Sequence, residues 1–148
     1  VDPLDGEAVV RAARSRSAEL VVVGPEAPLA AGIADALRGD GIAVFGPGRA
    51  AAAIEGSKSF AKKVMRAAGV PTSVDLPEPV APCVLKADGL AAGKGVIVCR
   101  TQADVEAGLA ELASHPGPLV VEELLEGPEV SVFALCDGHV IIDRQTVV

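Results

Sequence analysis

A glycine-rich segment between two lysines is the part of the sequence with the clearest chemical character. Residues 84–98 read VLKADGLAAGKGVIV, and the residues of interest are Gly89, Gly93, Gly95, Lys86 and Lys94. Glycine lets backbone N–H groups approach an anion closely, and lysine supplies positive charge to phosphate oxygens. The pattern predicts a flexible hairpin that folds over nucleotide phosphates. The alternative is an ordinary glycine-rich hairpin with solvated lysines.

The segment differs from the phosphate-binding P-loop. That motif needs GxxxxGK followed by Ser or Thr at the start of a helix. Here the spacing is one residue short, Gly95 replaces the hydroxyl residue, and apolar strand residues follow. No GxGxxG follows a strand elsewhere, so a dehydrogenase is disfavoured.

Two lysines are candidates for binding phosphate. Lys86 ends an apolar run, where a buried and unpaired ammonium would be costly, so we expect it to reach a ligand in a cleft. The alternative is that its long side chain extends into solvent. Lys58 lies near a helix start, where a cation opposes the helix dipole, but composition alone favours a solvated face there.

Four carboxylates follow an apolar run in the segment VVEELLEGPE: Glu122, Glu123, Glu126 and Glu129. Paired acids can hold a metal or transfer protons, but no histidine or second acidic strand accompanies these. Another role is to accept hydrogen bonds from an adenine amino group and ribose hydroxyls. A charged turn between strands is the remaining alternative.

The loop GPEAPL, residues 24–29, follows a buried apolar run and precedes a helical segment. Open α/β sheets bind ligands in crevices outside the carboxyl ends of their strands. Glu26 is therefore either a ligand for an amine or a sugar hydroxyl, or a helix-start acid stabilised by the dipole. His115 and His139 have no nucleophile pattern nearby and receive no catalytic role.

In the first half of the chain, predicted helices alternate with predicted strands, and these elements must position the candidate residues. Apolar residues at helical spacing over 4–16 and 29–38 alternate with continuous apolar runs at 20–23 and 42–45. This α-β-α-β order predicts a partial doubly wound α/β fold with a parallel sheet.

A helix-rich stretch then covers residues 49–68. Within it Phe60, Val64 and Ala68 recur every four residues, which predicts the buried face. The basic residues between them predict the solvent side, and these are Lys62, Lys63 and Arg66.

The second half of the chain has a different rhythm. Four prolines over residues 71–82 indicate a linker. Short strands are predicted at 83–86, 96–99, 119–123, 130–136 and 140–142, with one helix at about 103–113 and an Asp137-Gly138 hairpin turn. This order indicates an α+β unit with a largely antiparallel sheet.

Composition excludes several classes of protein. The 148 residues include 13 basic and 20 acidic side chains, for a net charge of −7, and only three aromatic residues, all Phe. These values disfavour nucleic-acid binding. The apolar runs are too short to span a membrane, and no leader pattern is present. Three cysteines without close spacing indicate reduced thiols and a cytoplasmic protein.

Four blocks of sequence, in this order, resemble one family of enzymes. They read GPEAPLA, IEGSKSFAKKVMRAAGVPT, VLKADGLAAGKGV and VVEELLEGPEVSVFALCDG. The family is phosphoribosylamine–glycine ligase, also called glycinamide ribonucleotide synthetase, within the ATP-grasp ligases. The resemblance covers most of residues 20–138 and is specific, because unrelated matches to all four blocks in order are improbable.

The resemblance implies ligation of glycine to phosphoribosylamine in purine synthesis. ATP would phosphorylate the glycine carboxylate, and the amine of phosphoribosylamine would attack the acyl phosphate. Mg²⁺ or Mn²⁺ would assist, with ligands outside this chain. By matching motif, the implied ATP-binding residues are Lys58 and Lys86 at the phosphates, Gly89, Gly93, Lys94 and Gly95 over them, Glu122, Glu123, Leu124 and Leu125 at adenine, and Glu129 at ribose. Gly24, Pro25 and Glu26 would line the phosphoribosylamine side.

The resemblance also implies an incomplete chain. We expect residues 1–56 to be a partial N-terminal α/β domain of the pre-ATP-grasp type and residues 57–148 a partial ATP-grasp domain. The family begins with a strand and glycine-rich loop that are not in this sequence, and the tail DRQTVV does not match its continuation. We therefore expect no complete catalysis from these residues alone. The alternatives are another ATP-grasp carboxylate–amine ligase and a non-catalytic nucleotide-binding fragment; the oligomeric state is not predicted.

Overall fold

The computed structural model describes residues 1–90, 95–136 and 141–147. The helices in these ranges are α1 Gly6–Ser15, α2 Glu26–Ala31, α3 Ile33–Gly39, α4 Arg49–Gly56, α5 Lys58–Ala67 and α6 Gln102–Leu112. The strands are β1 Leu20–Val22, β2 Ala43–Phe45, β3 Cys83–Ala87, β4 Val96–Cys99, β5 Leu119–Glu123, β6 Ser131–Cys136 and β7 Ile141–Val147. None of the helices in the described ranges has the length and apolar character needed to cross a membrane.

The first half contains a parallel pair of strands with helices packed against it. Strands β1 and β2 pair in parallel, with Val21 opposite Val44. The fully buried residues Ala34 and Leu37 of α3 belong to the apolar cluster between this pair and the helices. The alternating order and the parallel pairing agree with the sequence prediction. Two strands alone do not define a doubly wound sheet, so that finer description stays a prediction.

The helix predicted over 29–38 is two helices, because Gly32 interrupts it. Gly32 has a φ of +89°, in the left-handed region that favours glycine. A Cβ there would lie 2.8 Å from Nε of Arg49, so the position has no room for a side chain unless Arg49 moves. The chain therefore turns at Gly32 between α2 and α3.

The second half is a three-stranded antiparallel sheet in the order β4-β3-β5. One face packs against α6, where Leu85 and Val105 are buried. Strands β6 and β7 form a separate antiparallel pair. The largely antiparallel arrangement is as the sequence predicted, while the predicted Asp137-Gly138 turn lies outside the described residues.

The proline-rich segment 71–82 is attached to the sheet, which the linker prediction did not anticipate. The backbone N–H of Leu76 donates to the carbonyl of Val121 at 2.9 Å, and the N–H of Glu123 donates to the carbonyl of Val74 at 3.0 Å. These bonds hold the segment along the free edge of β5. The segment thus becomes part of the site described below.

The predicted faces of α5 are wrong at several positions: Phe60 and Ala68, expected to be buried, are exposed, and Lys62, expected in solvent, is buried. Lys62 is only 5% exposed, whereas Phe60 is 40% exposed. Periodicity assigns lysine to solvent because a buried ammonium is costly without partners. Here the partners come from segments distant in sequence, and they reverse the expected preference.

The contact between α6 and the sheet generates a stability prediction. A Cβ at Gly108 would lie 3.0 Å from Cδ1 of Leu85 and 3.2 Å from Cγ2 of Ile97. We expect Gly108→Val to lower the free energy of unfolding by about 1–3 kcal/mol through overpacking. The exposed neighbour provides the control, because Ala107→Val should cost less than about 1 kcal/mol from helix propensity alone. Urea denaturation measures both, and equal effects would contradict this packing.

Candidate functional site

The register of two strands brings a lysine and a glutamate onto one face of the sheet. Lys86 of β3 lies opposite Val120 of β5, and Glu122 follows two residues later on the same strand. Residues two apart on a strand share a face, so Lys86 and Glu122 are diagonal neighbours. Their side chains form an ion pair. The face they occupy is opposite to the one covered by α6.

Glu122 is the centre of a buried polar cluster. Glu122 is only 3% exposed. Its Oε1 accepts a hydrogen bond from Nζ of Lys62 at 2.9 Å. Its Oε2 accepts from Oγ of Ser73 at 2.6 Å and from Nζ of Lys86. Burial acts to raise the pKa of Glu122, but hydrogen bonds from Lys86, Ser73 and Lys62 and the charge of Lys86 outweigh it, and the pKa falls below its usual value.

Lys62 connects this cluster to the proline-rich segment. Its ammonium donates to the carbonyl of Ser73 at 2.7 Å and pairs with Oδ1 of Asp75 at 2.6 Å. Asp75 also pairs with Arg66 on the outer side. Hydrogen bonding to Lys62 is the main cause of a lowered Asp75 pKa, opposed by burial and reinforced by Arg66.

A cleft of about 370 Å³ opens beside the cluster. Two of the predicted phosphate ligands, Lys58 and Lys86, line this cleft together with Glu122. The remaining lining residues come from α4, α5 and the proline-rich segment, and they are Ile54, Glu55, Ala61, Lys62, Met65, Thr72 and Ser73. The structure therefore brings these two lysines to one hollow.

Lys58 is fixed at the start of α5 by Asp88. Oδ1 of Asp88 accepts from the backbone N–H of Lys58 at 2.6 Å, and Oδ2 accepts from Oγ of Ser59 at 2.5 Å. Burial acts to raise the pKa of Asp88, but bonds from Ser59, Lys58 and Ser57 lower it below its usual value. Nζ of Lys58 donates to the carbonyl of Gly89 at 2.9 Å, so the lysine lies at the base of the glycine-rich segment.

Apart from Glu122, the other described residues predicted to contact the nucleotide do not line this cleft. Oε1 of Glu123 accepts from the backbone N–H of Val74 at 2.8 Å, while Leu125 and Glu129 are exposed. The described residues Gly89, Gly95, Glu123, Leu124, Leu125 and Glu129 do not line the cleft. Gly93 and Lys94 lie outside the described residues. Their roles, and adenine binding by Glu122, stay predictions.

The predicted substrate loop lies at the carboxyl end of β1, as the sequence indicated. Gly24 and Pro25 precede α2, whose first residue is the exposed Glu26. The backbone N–H of Val23, just before the loop, donates to the carbonyl of Phe45 at 3.0 Å. None of the three loop residues lines the cleft beside Lys86, so a substrate role for them stays a prediction.

Sequence reasoning missed four residues of the site: Lys62, Ser73 and Asp75 of the cluster around Glu122, and Asp88 at the start of α5. Asp88 lies inside the glycine-rich block, and an acidic residue among predicted phosphate ligands could have indicated a role in positioning them. Lys62 carried only the opposite signal, since helical spacing indicated solvent. Within the described ranges, no group of three or more His, Cys, Asp or Glu side chains could hold a metal ion.

Two solved structures are similar to this chain in fold. The biotin carboxylase domain of Hydrogenobacter thermophilus 2-oxoglutarate carboxylase, crystallised with ADP and magnesium, is 26% identical with a TM-score of 0.70 over 95% of this chain and 36% of that one. Phosphoribosylamine–glycine ligase from Thermotoga maritima is 33% identical with a TM-score of 0.60 over 70% of this chain and 31% of that one.

Family comparison gives the narrower assignment. The N domain of phosphoribosylglycinamide synthetase matches residues 1–55, and its ATP-grasp (A) domain matches residues 56–147. These matches define an ATP-grasp protein. More narrowly, the chain belongs to the phosphoribosylglycinamide synthetase family, as the sequence resemblance predicted.

Curated relatives extend the comparison along almost the whole chain. Phosphoribosylamine–glycine ligase from Leifsonia xyli is 53% identical over 96% of this chain, and the Streptomyces coelicolor enzyme of that name is 56% identical over 94%. This chain spans 37% and 35% of the lengths of those two proteins.

The depressed pKa of Glu122 generates a prediction about acid stability. In acid the unfolded chain binds this proton more readily than the folded chain, so the free energy of unfolding falls as the pH drops below the unfolded value of about 4.3. We expect Glu122→Gln to lower the free energy of unfolding by about 3 kcal/mol at neutral pH, because Lys62 loses a buried counter-ion. The variant should also show a shallower acid slope.

An exposed ion pair provides the matched control. Glu126 pairs with Arg100 at 2.8 Å, and both side chains are largely exposed. Glu126→Gln should change the free energy of unfolding by less than about 1 kcal/mol. Urea titrations between neutral and acid pH measure both variants, and an unchanged acid slope in Glu122→Gln would contradict the buried pair.

Proposed function

We propose that the cleft beside Lys58 and Lys86 binds the phosphates of ATP. The juxtaposition of these two lysines in one hollow carries the proposal. Phosphoryl transfer depends mainly on positioning and charge neutralisation, and two ammonium groups held by neighbouring carboxyl and carbonyl oxygens suit that task. A family member's ATP-grasp domain and a neighbour crystallised with ADP support the same ligand.

The glycine-rich segment is proposed to close over these phosphates. It starts at Gly89, whose carbonyl already accepts a hydrogen bond from Lys58. Gly93, Lys94 and Gly95 complete it by matching motif. We further propose that Glu122, Glu123, Leu124 and Leu125 are at the adenine, and that Glu129 binds the ribose.

For the whole protein we propose ATP-dependent ligation of glycine to phosphoribosylamine in purine biosynthesis. ATP phosphorylates the glycine carboxylate and leaves as ADP, and the phosphoribosylamine amine then displaces phosphate. Gly24, Pro25 and Glu26 would line the phosphoribosylamine side. A bound Mg²⁺ or Mn²⁺ would neutralise phosphate charge, with ligands outside this chain.

The proposal includes the domain division and the setting of the enzyme. Residues 1–56 are proposed to be part of a doubly wound N-terminal domain, and residues 57–148 part of the ATP-grasp domain. The protein is proposed to act in the cytoplasm on small molecules, without nucleic acid or membrane partners. The ATP site would lie mainly in the second part, on α5, the proline-rich segment and the β4-β3-β5 sheet, with α4 of the first part lining one side of the cleft.

Nucleotide binding by this chain tests the phosphate site. We expect Lys58→Ala to weaken ATP binding by about 10- to 100-fold. This is the loss in affinity that follows from removing one hydrogen bond to a charged group. Lys63 is an exposed lysine of the same helix, so Lys63→Ala should change affinity less than about threefold. Titration calorimetry with ATP measures both; equal losses would indicate only a general charge effect.

A hybrid enzyme tests the ligation proposal. Residues 1–147 would replace the matching segment of the Leifsonia xyli protein, with that protein itself as the control. We expect ADP formation that requires both glycine and phosphoribosylamine. Formation of ADP with a different carboxylate in place of glycine would instead favour another ATP-grasp ligase. The 148-residue chain by itself should show no turnover.

A further inference from the structure

Lys62 is a buried lysine for which neither the sequence nor the proposed chemistry provides a role. Its side chain is 6% exposed, against 27% for Lys86. Its ammonium is within hydrogen-bond distance of Glu122, Asp75 and Ser73. Buried ion pairs are often replaceable by apolar residues without loss of stability. Removing only one partner is destabilising, however, so a role of Lys62 beyond stability must be shown by an effect on ligand affinity.

The two oxygens of Glu122 are divided between two lysines. Oε1 accepts from Lys62, and Oε2 accepts from Lys86. Glu122 and Lys86 by themselves would form a neutral pair, whereas the three side chains together carry one net positive charge. The additional charge comes from α5 and lies at the opposite carboxylate oxygen from Lys86; both lysines line the cleft, but Lys62 is the more buried of the two.

Other charged groups near Lys62 leave this balance in place. Asp75 pairs with Lys62 at 2.6 Å and also with the half-exposed Arg66, so one negative charge is shared between two cations. On the cleft side, Lys58 and Glu55 are the other charged lining residues, and they offset one another in formal charge. Lys62, Arg66 and Lys86 with Asp75 and Glu122 therefore keep a net charge of +1, part of which lies on the half-exposed Arg66.

We propose that Lys62 is a positioning residue for phosphate binding and acts through Glu122 on Lys86. By holding Oε1 of Glu122, Lys62 fixes the carboxylate that orients the ammonium of Lys86 and partly relieves that ammonium of its counter-charge. The ligand is the polyphosphate of a nucleoside triphosphate. This inference rests on the proposed ATP site and adds a residue that, although it lines the same cleft, acts on the ligand through Glu122 and Lys86.

A double-mutant cycle on ATP affinity tests the proposal. The chain would be titrated with ATP by calorimetry as wild type, Lys62→Met, Lys86→Met and the double variant. We expect Lys62→Met to weaken binding by about tenfold when Lys86 is present, a step equivalent to one lost charged hydrogen bond. In the Lys86→Met background the same change should have almost no effect, and Lys62→Arg should restore affinity to within about threefold of wild type.

The Lys63→Met variant is the matched control, since Lys63 is an exposed lysine of α5 next to Lys62. It should bind ATP like the wild type. An equal loss from Lys62→Met with and without Lys86 would overturn the proposal, as would a folded Lys62→Met variant with wild-type affinity. Absence of ATP binding by the folded wild type would overturn the proposed ATP site itself, which separates the two failures.

A second variant keeps the test decisive if circular dichroism shows that Lys62→Met does not fold. Asp75 is 46% exposed, and Asp75→Asn removes the other carboxylate that Lys62 contacts. Lys62 would then donate more fully to Glu122, so ATP should bind about threefold more tightly, and only when Lys86 is present. No change, weaker binding or the same gain in the Lys86→Met background would overturn the proposal.

Discussion

The candidate site depends on the pairing of the buried Glu122 carboxylate with two lysines and a serine. This carboxylate accepts hydrogen bonds from α5, from the proline-rich segment and from β3 at the same time. A buried carboxylate is tolerated only when it is fully paired, so each of these segments must be in place for the others to be stable. The cleft lies beside this junction, and its shape is therefore a consequence of satisfying one charge.

Two acidic residues hold helix α5, one at its first turn and one at its middle. Asp88 accepts hydrogen bonds at its first turn and sets the position of Lys58, while Lys62 anchors its middle to Glu122. Both acids lie on or just after strands of one sheet. The two lysines of the cleft are therefore both positioned by acids attached to one sheet, which favours preorganised binding of an anion.

The sequence predicted the strands and their antiparallel order well, because apolar runs bounded by Gly and Pro are local signals. It also singled out Lys86, because a lysine at the end of an apolar run beside a glycine-rich segment indicates phosphate chemistry, whereas Lys58 came from the family resemblance. The structure brings both lysines to one cleft, and phosphate binding by them stays a prediction. The buried face of α5 could not be predicted in this way. Lys62 is buried because Ser73 and Glu122 are positioned by tertiary structure, and helical periodicity contains no information about such distant partners. The interruption at Gly32 had a local signal, because glycine within a helical pattern can adopt a positive φ, but its close approach to Arg49 depends on tertiary structure.

A crystal structure of the chain with a non-hydrolysable ATP analogue tests the central claim most directly. The account predicts Nζ of Lys86 within about 3 Å of a phosphate oxygen while it still contacts Glu122, with Lys62 on the other carboxylate oxygen. A nucleotide bound away from Lys58 and Lys86, or a Glu122 side chain released from both lysines in the complex, would contradict it.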